Sequence, residues 1–267
     1  MLGRLLKYEL KATARVFLPI YVVLLVFAAI TKIITSISPD NLNVPNVISV
    51  VLYTTILIGM FVMTFVVMIQ RFYRNLLSQE GYLMFTLPVE TWKHIMSKLL
   101  VSVLWDIGSL VAAILSVMIL AIDQIMHNGL LAGFFDAINQ VLGVFGSTSS
   151  LAVVEFILLF LISMACGTLI IYASIALGHL ARQHRIMASL GAFLGLSTLS
   201  QILFFCIANA IDMHAFGQSL GMAGSTLHPA VVSFHFAMWF FIAFLALLSV
   251  ACFTITDFIL NRRLNLE

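Results

Sequence analysis

The sequence predicts an all-α integral membrane protein with six transmembrane helices, and three observations carry that prediction. Of its 267 residues 62% are hydrophobic and only 9% charged, with a mean hydropathy of +1.13. Soluble domains run about 45–50% apolar and about 25% charged, so lipid must be the solvent for most of this surface. Six apolar runs are long enough for a hydrocarbon core, which takes about 20 helical residues. Finally, twelve of the thirteen Lys and Arg residues gather on one side of the topology that those runs define.

Residues 1–15 read as an amphipathic interfacial helix. Arg4, Lys7, Lys11 and Arg15 are spaced to stack on one face, with Leu2, Leu5, Leu6 and Leu10 on the other. Such a helix lies in the headgroup plane with its cations toward anionic lipid. The segment is too charged, and the run after it too long, for a cleaved signal peptide. The spans fall near 16–37, 47–70, 97–122, 151–178, 188–211 and 232–257, within a single transmembrane domain, 1–267. Pro19 opens the first span at a position where a proline removes no helical hydrogen bond. Pro39 and Pro45, in the polar turn after it, keep the first two spans from merging.

The charges orient the chain. Arg4, Lys7, Lys11 and Arg15 precede the first span, and Arg71, Arg74, Lys93 and Lys98 surround the second loop. Arg182 and Arg185 lie in the fourth loop, and Arg262 and Arg263 follow the last span, which leaves only Lys32 opposite. By the positive-inside rule both termini are cytoplasmic, and an even number of spans agrees. A plasma-membrane, multi-pass protein is expected. Of the outer segments, 123–150 carries Leu130, Leu131, Phe134, Phe135, Ile138, Val141, Leu142 and Phe145 at helical spacing, which predicts a helix on the outer leaflet. The Gly-rich segment 212–231 is either re-entrant or surface-lying.

Ionisable residues inside spans are costly and mark function or structure. Asp106 is a candidate for a substrate path or gate, against a structural hydrogen-bonding role. Glu155, near the outer start of the fourth span, is a candidate for an exit mouth. Asp257 is expected to pair with Arg262. Gly191 and Gly195 form a GxxxG at which another helix can approach closely. Cys166, Cys206 and Cys252 all lie in apolar runs as small buried side chains, without disulfide or metal-ligand spacing. The seven histidines show no metalloprotease spacing and do not form a site. No metal site, catalytic residue or nucleic-acid patch is expected. No phosphate-cradling G-x-x-x-x-G-K-[ST] loop occurs, so any ATP would be used on another chain.

The stretch Arg71–Lys98, RFYRNLLSQEGYLMFTLPVETWKHIMSK, is the longest polar break. RFYRNLLSQE has helical composition, Gly81 offers a helix stop, and Pro88 with Glu90 opens a new helix toward the third span. The phrase NLLSQEGYLMFTLPV, followed by W-K-x-x-x-S-K-L-L, resembles the first cytoplasmic loop of ATP-binding-cassette permeases of the type-2 exporter family. The six-span permeases typical of Gram-positive bacteria are the nearest in kind. The resemblance implies a cytoplasmic coupling helix between spans 2 and 3, within 71–96, that docks on a separate ATPase subunit. By position it would include Asn75, Leu76, Leu77, Ser78, Gln79, Glu80, Gly81 and Tyr82. It further implies a non-enzymatic permease chain with no cofactor of its own, ATP and Mg being held by the ATPase, and pairing with a second copy or a related permease. The cargo would be an amphipathic or hydrophobic compound, such as an antimicrobial peptide, drug or lipid-like molecule, exported by alternating access. Two other readings stand beside it: a non-transporting membrane sensor or immunity module, and an intramembrane hydrolase acting through Asp106 or Glu155.

Overall fold

The computed structural model describes residues 2–37, 43–74, 90–127, 129–181, 184–210 and 229–262. In chain order its helices are α1 (Leu2–Ile37), α2 (Val44–Phe72), α3 (Thr91–Leu120), α4 (Ile122–His127), α5 (Leu130–Phe145), α6 (Ser149–Gly178), α7 (Arg185–Ala210) and α8 (Pro229–Arg262). A 3₁₀ turn, Gly146–Thr148, leads into α6, and there is no strand among the described residues. Six stretches are long and apolar enough to cross a bilayer: Leu5–Ile37, Val44–Phe72, Thr91–Leu120, Leu131–Gly178, Arg185–Asn209 and Val231–Asn261. This is the architecture of a multi-pass, all-helical membrane protein. Large apolar side chains such as Phe205 (69% exposed) and Leu247 (72%) face outward, as a lipid-solvated surface requires.

Two expectations for the N-terminal region change. A separate interfacial helix over 1–15 requires a break before the first span, but α1 is continuous from Leu2 to Ile37. Its 36 residues measure about 54 Å at 1.5 Å per residue, well beyond a hydrocarbon core of about 30 Å. The amphipathic pattern itself is present: Lys7, Lys11 and Arg15 are exposed. Its apolar side, with Leu6, Leu10 and Ala14, packs on a cluster of Phe17, Val101 and Trp105. Protein contacts therefore carry the helix straight on. Pro19 consequently lies inside α1, not in a first turn.

The described residues fall into two compact units. The first holds α1, α2, α3, α4 and the start of α5. Along α1, Glu9, Thr13, Phe17, Tyr21, Leu24, Ala28 and Thr31 recur every three or four residues, one stripe of a helix. Most of that stripe is buried, and it meets α3 and α2. Phe17 stacks on Trp105 with centroids 4.5 Å apart. Trp105 Nε1 donates to Thr13 Oγ1 at 2.7 Å. Tyr21 Oη donates to the Trp105 carbonyl at 3.2 Å and lies 2.9 Å from Ser109 Oγ, which also meets Thr64 at 2.9 Å. A second hydroxyl pair, Tyr53 with Ser116 at 2.9 Å, joins α2 to α3. Such bonds average about 0.6 kcal/mol in lipid, so they set helix register more than they supply stability. Leu24, Ala28, Tyr53, Met60, Ala112 and Ala113 fill the space between.

The second unit holds the rest of α5 with α6, α7 and α8, and α6 packs against both α7 and α8. Its buried face includes Cys166, Leu169, Tyr172, Ala173 and Ala176, and α8 contributes Met238, Ile242, Cys252 and Ile259. Phe204 on α7 stands edge-on to Phe241 and Phe244, at 5.0 and 5.3 Å. Cys206 departs from its expected place, being exposed on α7 where the other two cysteines are buried. The helix expected from the spacing of Leu130 to Phe145 is present as α5, and it continues through the 3₁₀ turn into α6, so that Leu131–Gly178 forms one apolar stretch where the sequence predicts a separate span over 151–178.

Gly178 ends α6 where the chain turns toward α7. A Cβ there would stand 2.5 Å from Ser189 Cβ and 2.6 Å from its Cα and N, so the two helix ends touch backbone to backbone. No such approach occurs at Gly191 and Gly195, where no described atom lies within 4 Å of an added Cβ. The GxxxG of α7 thus packs against nothing among the described residues. His179 follows Gly178 in the turn. Burial pushes its imidazole below the usual histidine range, and Arg185 adds to the effect. The unfolded chain then binds the proton more readily, so stability falls as pH drops below about 6.5 toward the lowered folded value. Thermal unfolding across mildly acid pH is expected to show that slope, and an H179Q variant to flatten it.

Candidate functional site

The first polar cluster sits where the Arg71–Lys98 stretch leaves and re-enters the helices. Arg71 is in the last turn of α2, Lys98 is two turns into α3, and Glu9 is on α1. Glu9 Oε1 accepts from Lys98 Nζ at 2.7 Å, and Glu9 Oε2 accepts from Arg71 at 3.2 Å. The Lys98 side chain is only 4% exposed and Glu9 12%, while Arg71 is 30% exposed. One carboxylate therefore holds both roots of the polar stretch against α1. Ser97 and Ser102 beside Lys98 turn their hydroxyls onto the α3 backbone, donating to the carbonyls of His94 and Lys98, both at 2.9 Å. They leave the lysine to Glu9. The next α1 residue on that face is Thr13, which donates to the Glu9 carbonyl at 2.8 Å and receives Trp105.

At the start of α3, Glu90 occupies the cap position. Lys93 reaches its carboxylate at 2.6 Å and Trp92 Nε1 donates to it at 2.8 Å. The hydrogen bond from Lys93 first, then that from Trp92, holds the Glu90 carboxyl below the usual carboxylate range. Asn75, Leu76, Leu77, Ser78, Gln79, Glu80, Gly81 and Tyr82, the residues of the expected coupling helix, lie outside the described residues. So does the segment 212–228.

At the far end of α1, Lys32 pairs with Asp123 of α4. The one cation that stands apart in the charge pattern is thus neutralised by a neighbour. Asp106 is half-buried on α3 and makes no ion pair with a described cation. Asp257 is half-buried on α8, and the side chain of its expected partner Arg262 lies outside the described residues.

Glu155 behaves differently. It is completely buried on α6, and its Oε2 lies 2.7 Å from His235 Nδ1 of α8. The other ring nitrogen, Nε2, lies 3.0 Å from Thr148 Oγ1 in the 3₁₀ turn. Phe145, Ala152, Val231 and Phe234 enclose the group. Glu155 Oε1 is buried with no hydrogen-bond partner among the described residues. His235 is thus the one histidine among the described residues that the structure ties to a sequence-predicted site residue. Hydroxyl, imidazole and carboxylate in that order are also the parts of a nucleophile triad. Their hydrogen bonds run the wrong way for one: Thr148 Oγ1 already donates to the Phe145 carbonyl at 2.8 Å, so it accepts from the ring. The imidazole is a donor to this hydroxyl, not its base.

Sequence reasoning found Glu155 but missed Glu9, His235 and Thr148. One signal was available: Glu9 is the lone acid among the four N-terminal cations, where lipid attraction alone would favour none. His235 gave no signal, since its partner is 80 residues away. No family model matches the chain, and no curated protein or solved structure matches it.

Proposed function

We propose that this chain is the permease subunit of an ATP-driven exporter that moves an amphipathic or hydrophobic compound outward. An antimicrobial peptide, a drug or a lipid-like molecule would be its cargo. The observation that carries the reading is the Glu9 clamp. The segment resembling type-2 coupling loops is rooted at Arg71 and Lys98, and both roots are held by one carboxylate of α1. A loop that transmits force from an ATPase needs roots that move with the helices, and an ion pair across three helices supplies that. Nucleotide binding would favour one of two states of the permease, and alternating access follows from the difference. The lysines and arginines gathered at the clamped end support a cytoplasmic side for it at the plasma membrane, within reach of a soluble ATP-binding-cassette subunit. The open surface of Gly191 and Gly195 suits a second permease.

The test is an E80A/Y82A variant purified with its ATPase and reconstituted in lipid. Loss of about 1.4 kcal/mol of docking free energy lowers assembly roughly tenfold, and substrate-stimulated ATP hydrolysis is expected to fall with it. Unchanged assembly and unchanged stimulation would overturn the coupling role. Ligand capture indifferent to ATP would favour the sensor or immunity module, and product formation by the chain alone would favour a hydrolase.

A further inference from the structure

We propose that Glu155 and His235 form a binding site for a single proton, and that the bound proton fastens α8 to α6. The inference stands on hydrogen-bond bookkeeping at four atoms and is independent of the transport reading. A threonine hydroxyl has one hydrogen to give. Thr148 gives it to the Phe145 carbonyl, which can only accept. The contact from His235 Nε2 to Thr148 Oγ1 therefore requires that Nε2 carry a hydrogen. The remaining contact, His235 Nδ1 to Glu155 Oε2 at 2.7 Å, is too short for two facing lone pairs. One proton lies between them.

That proton can be written on the ring, as imidazolium and carboxylate, or on the carboxyl, as acid and neutral imidazole. In both descriptions the pair is neutral overall. Removing it leaves a net negative charge on a carboxylate of zero exposure, whose second oxygen already has no partner among the described residues. Burying such a group is strongly unfavourable unless it is paired. The deprotonated pair relieves this by separating, which opens the contact between α6 and α8 at this point. His235 is 12% exposed and is the route by which the proton enters and leaves. The other titratable groups on the packed helices are Asp136 on α5, Cys166 and Tyr172 on α6 with His179 in the turn after it, Arg185 and Cys206 on α7, and Cys252, Asp257 and Arg262 on α8. Among the described side chains none of these bonds to Glu155 or His235, so the pair responds to pH as a unit.

Ala152, fully buried beside the pair, is the reporter. The thiol of an A152C variant, with Cys206 changed to Ser, is labelled in lipid nanodiscs from acid to alkaline pH. The same protein carrying E155Q is the reference, because its amide N–H donates to a bare Nδ1 with no bound proton. Dividing the two rates cancels the ionisation of the thiol. The ratio is expected to be flat at low pH and to climb toward tenfold per pH unit once the proton leaves, the slope of a one-proton linkage. A ratio that stays flat while both proteins remain folded overturns the proposal. Nitrogen-15 spectra of the unmodified histidines give a second reading, with His235 identified by its absence in H235N. Nε2 is expected to stay protonated at every pH while Nδ1 loses its shared proton. A tautomer protonated on Nδ1 with a bare Nε2 overturns the proposal even if E155Q does not fold.

Discussion

An E9A variant is expected to lose about 3–5 kcal/mol of stability, the cost of stranding a buried cation. Lys98 is 4% exposed and reaches Glu9 at 2.7 Å, and Arg71 shares the same carboxylate. Without Glu9 no carboxylate stands between the two cations, and Lys98 is left buried. Arg71, at 30% exposed, can turn outward and loses less. An E9L/K98M double variant is expected to return to within about 1 kcal/mol of the native chain, because matched apolar groups replace a desolvated pair at little cost. Thermal unfolding in detergent, arranged as a double-mutant cycle, measures the coupling. A coupling energy below about 0.5 kcal/mol would mean that Glu9 and Lys98 do not act as a pair.

The second large effect is expected at Gly178. Adding a methyl group there places it 2.5–2.6 Å from Cβ, Cα and N of Ser189. Two of those atoms are backbone, so no rotamer change relieves the clash. G178A is expected to destabilise the α6–α7 hairpin by about 1–3 kcal/mol, and G178V by more. S189G does not rescue it, since the contacts to Cα and N persist. The contrast is G191A/G195A, whose new methyl groups meet open space. That variant is expected to keep its unfolding temperature, and any loss it shows is expected in the pairing with a second permease proposed above. Equal thermal shifts for G178A and G191A/G195A would refute this account of the hairpin.

Much of the architecture was legible in the residues. Apolar runs predicted an all-helical chain with six stretches long and apolar enough to cross a membrane, and the helical spacing from Leu130 to Phe145 predicted the helix found there as α5. Helical pattern reads well because it depends on residues three and four apart, which are neighbours on the helix surface whatever the tertiary fold. Helix ends read less well. The basic N-terminus looked like a surface helix because nothing local distinguishes packing on lipid from packing on α3.

The sites divided in the same way. Glu155 stood out as an acid within an apolar run, a signal any local reading can use. Its meaning did not, because the proton it shares depends on a histidine 80 residues away and on a threonine whose hydrogen is already committed. Glu9 was overlooked for the same reason, its partner Lys98 being 89 residues distant. The sequence by itself determined the solvent, the number of stretches long and apolar enough to cross it and the places where charge is tolerated, since each follows from the hydrophobic cost of single segments. Only the tertiary structure decided which polar groups meet, which glycine is indispensable and which helix faces stay open. Those choices rest on contacts between helices far apart in the chain, and no local pattern encodes them.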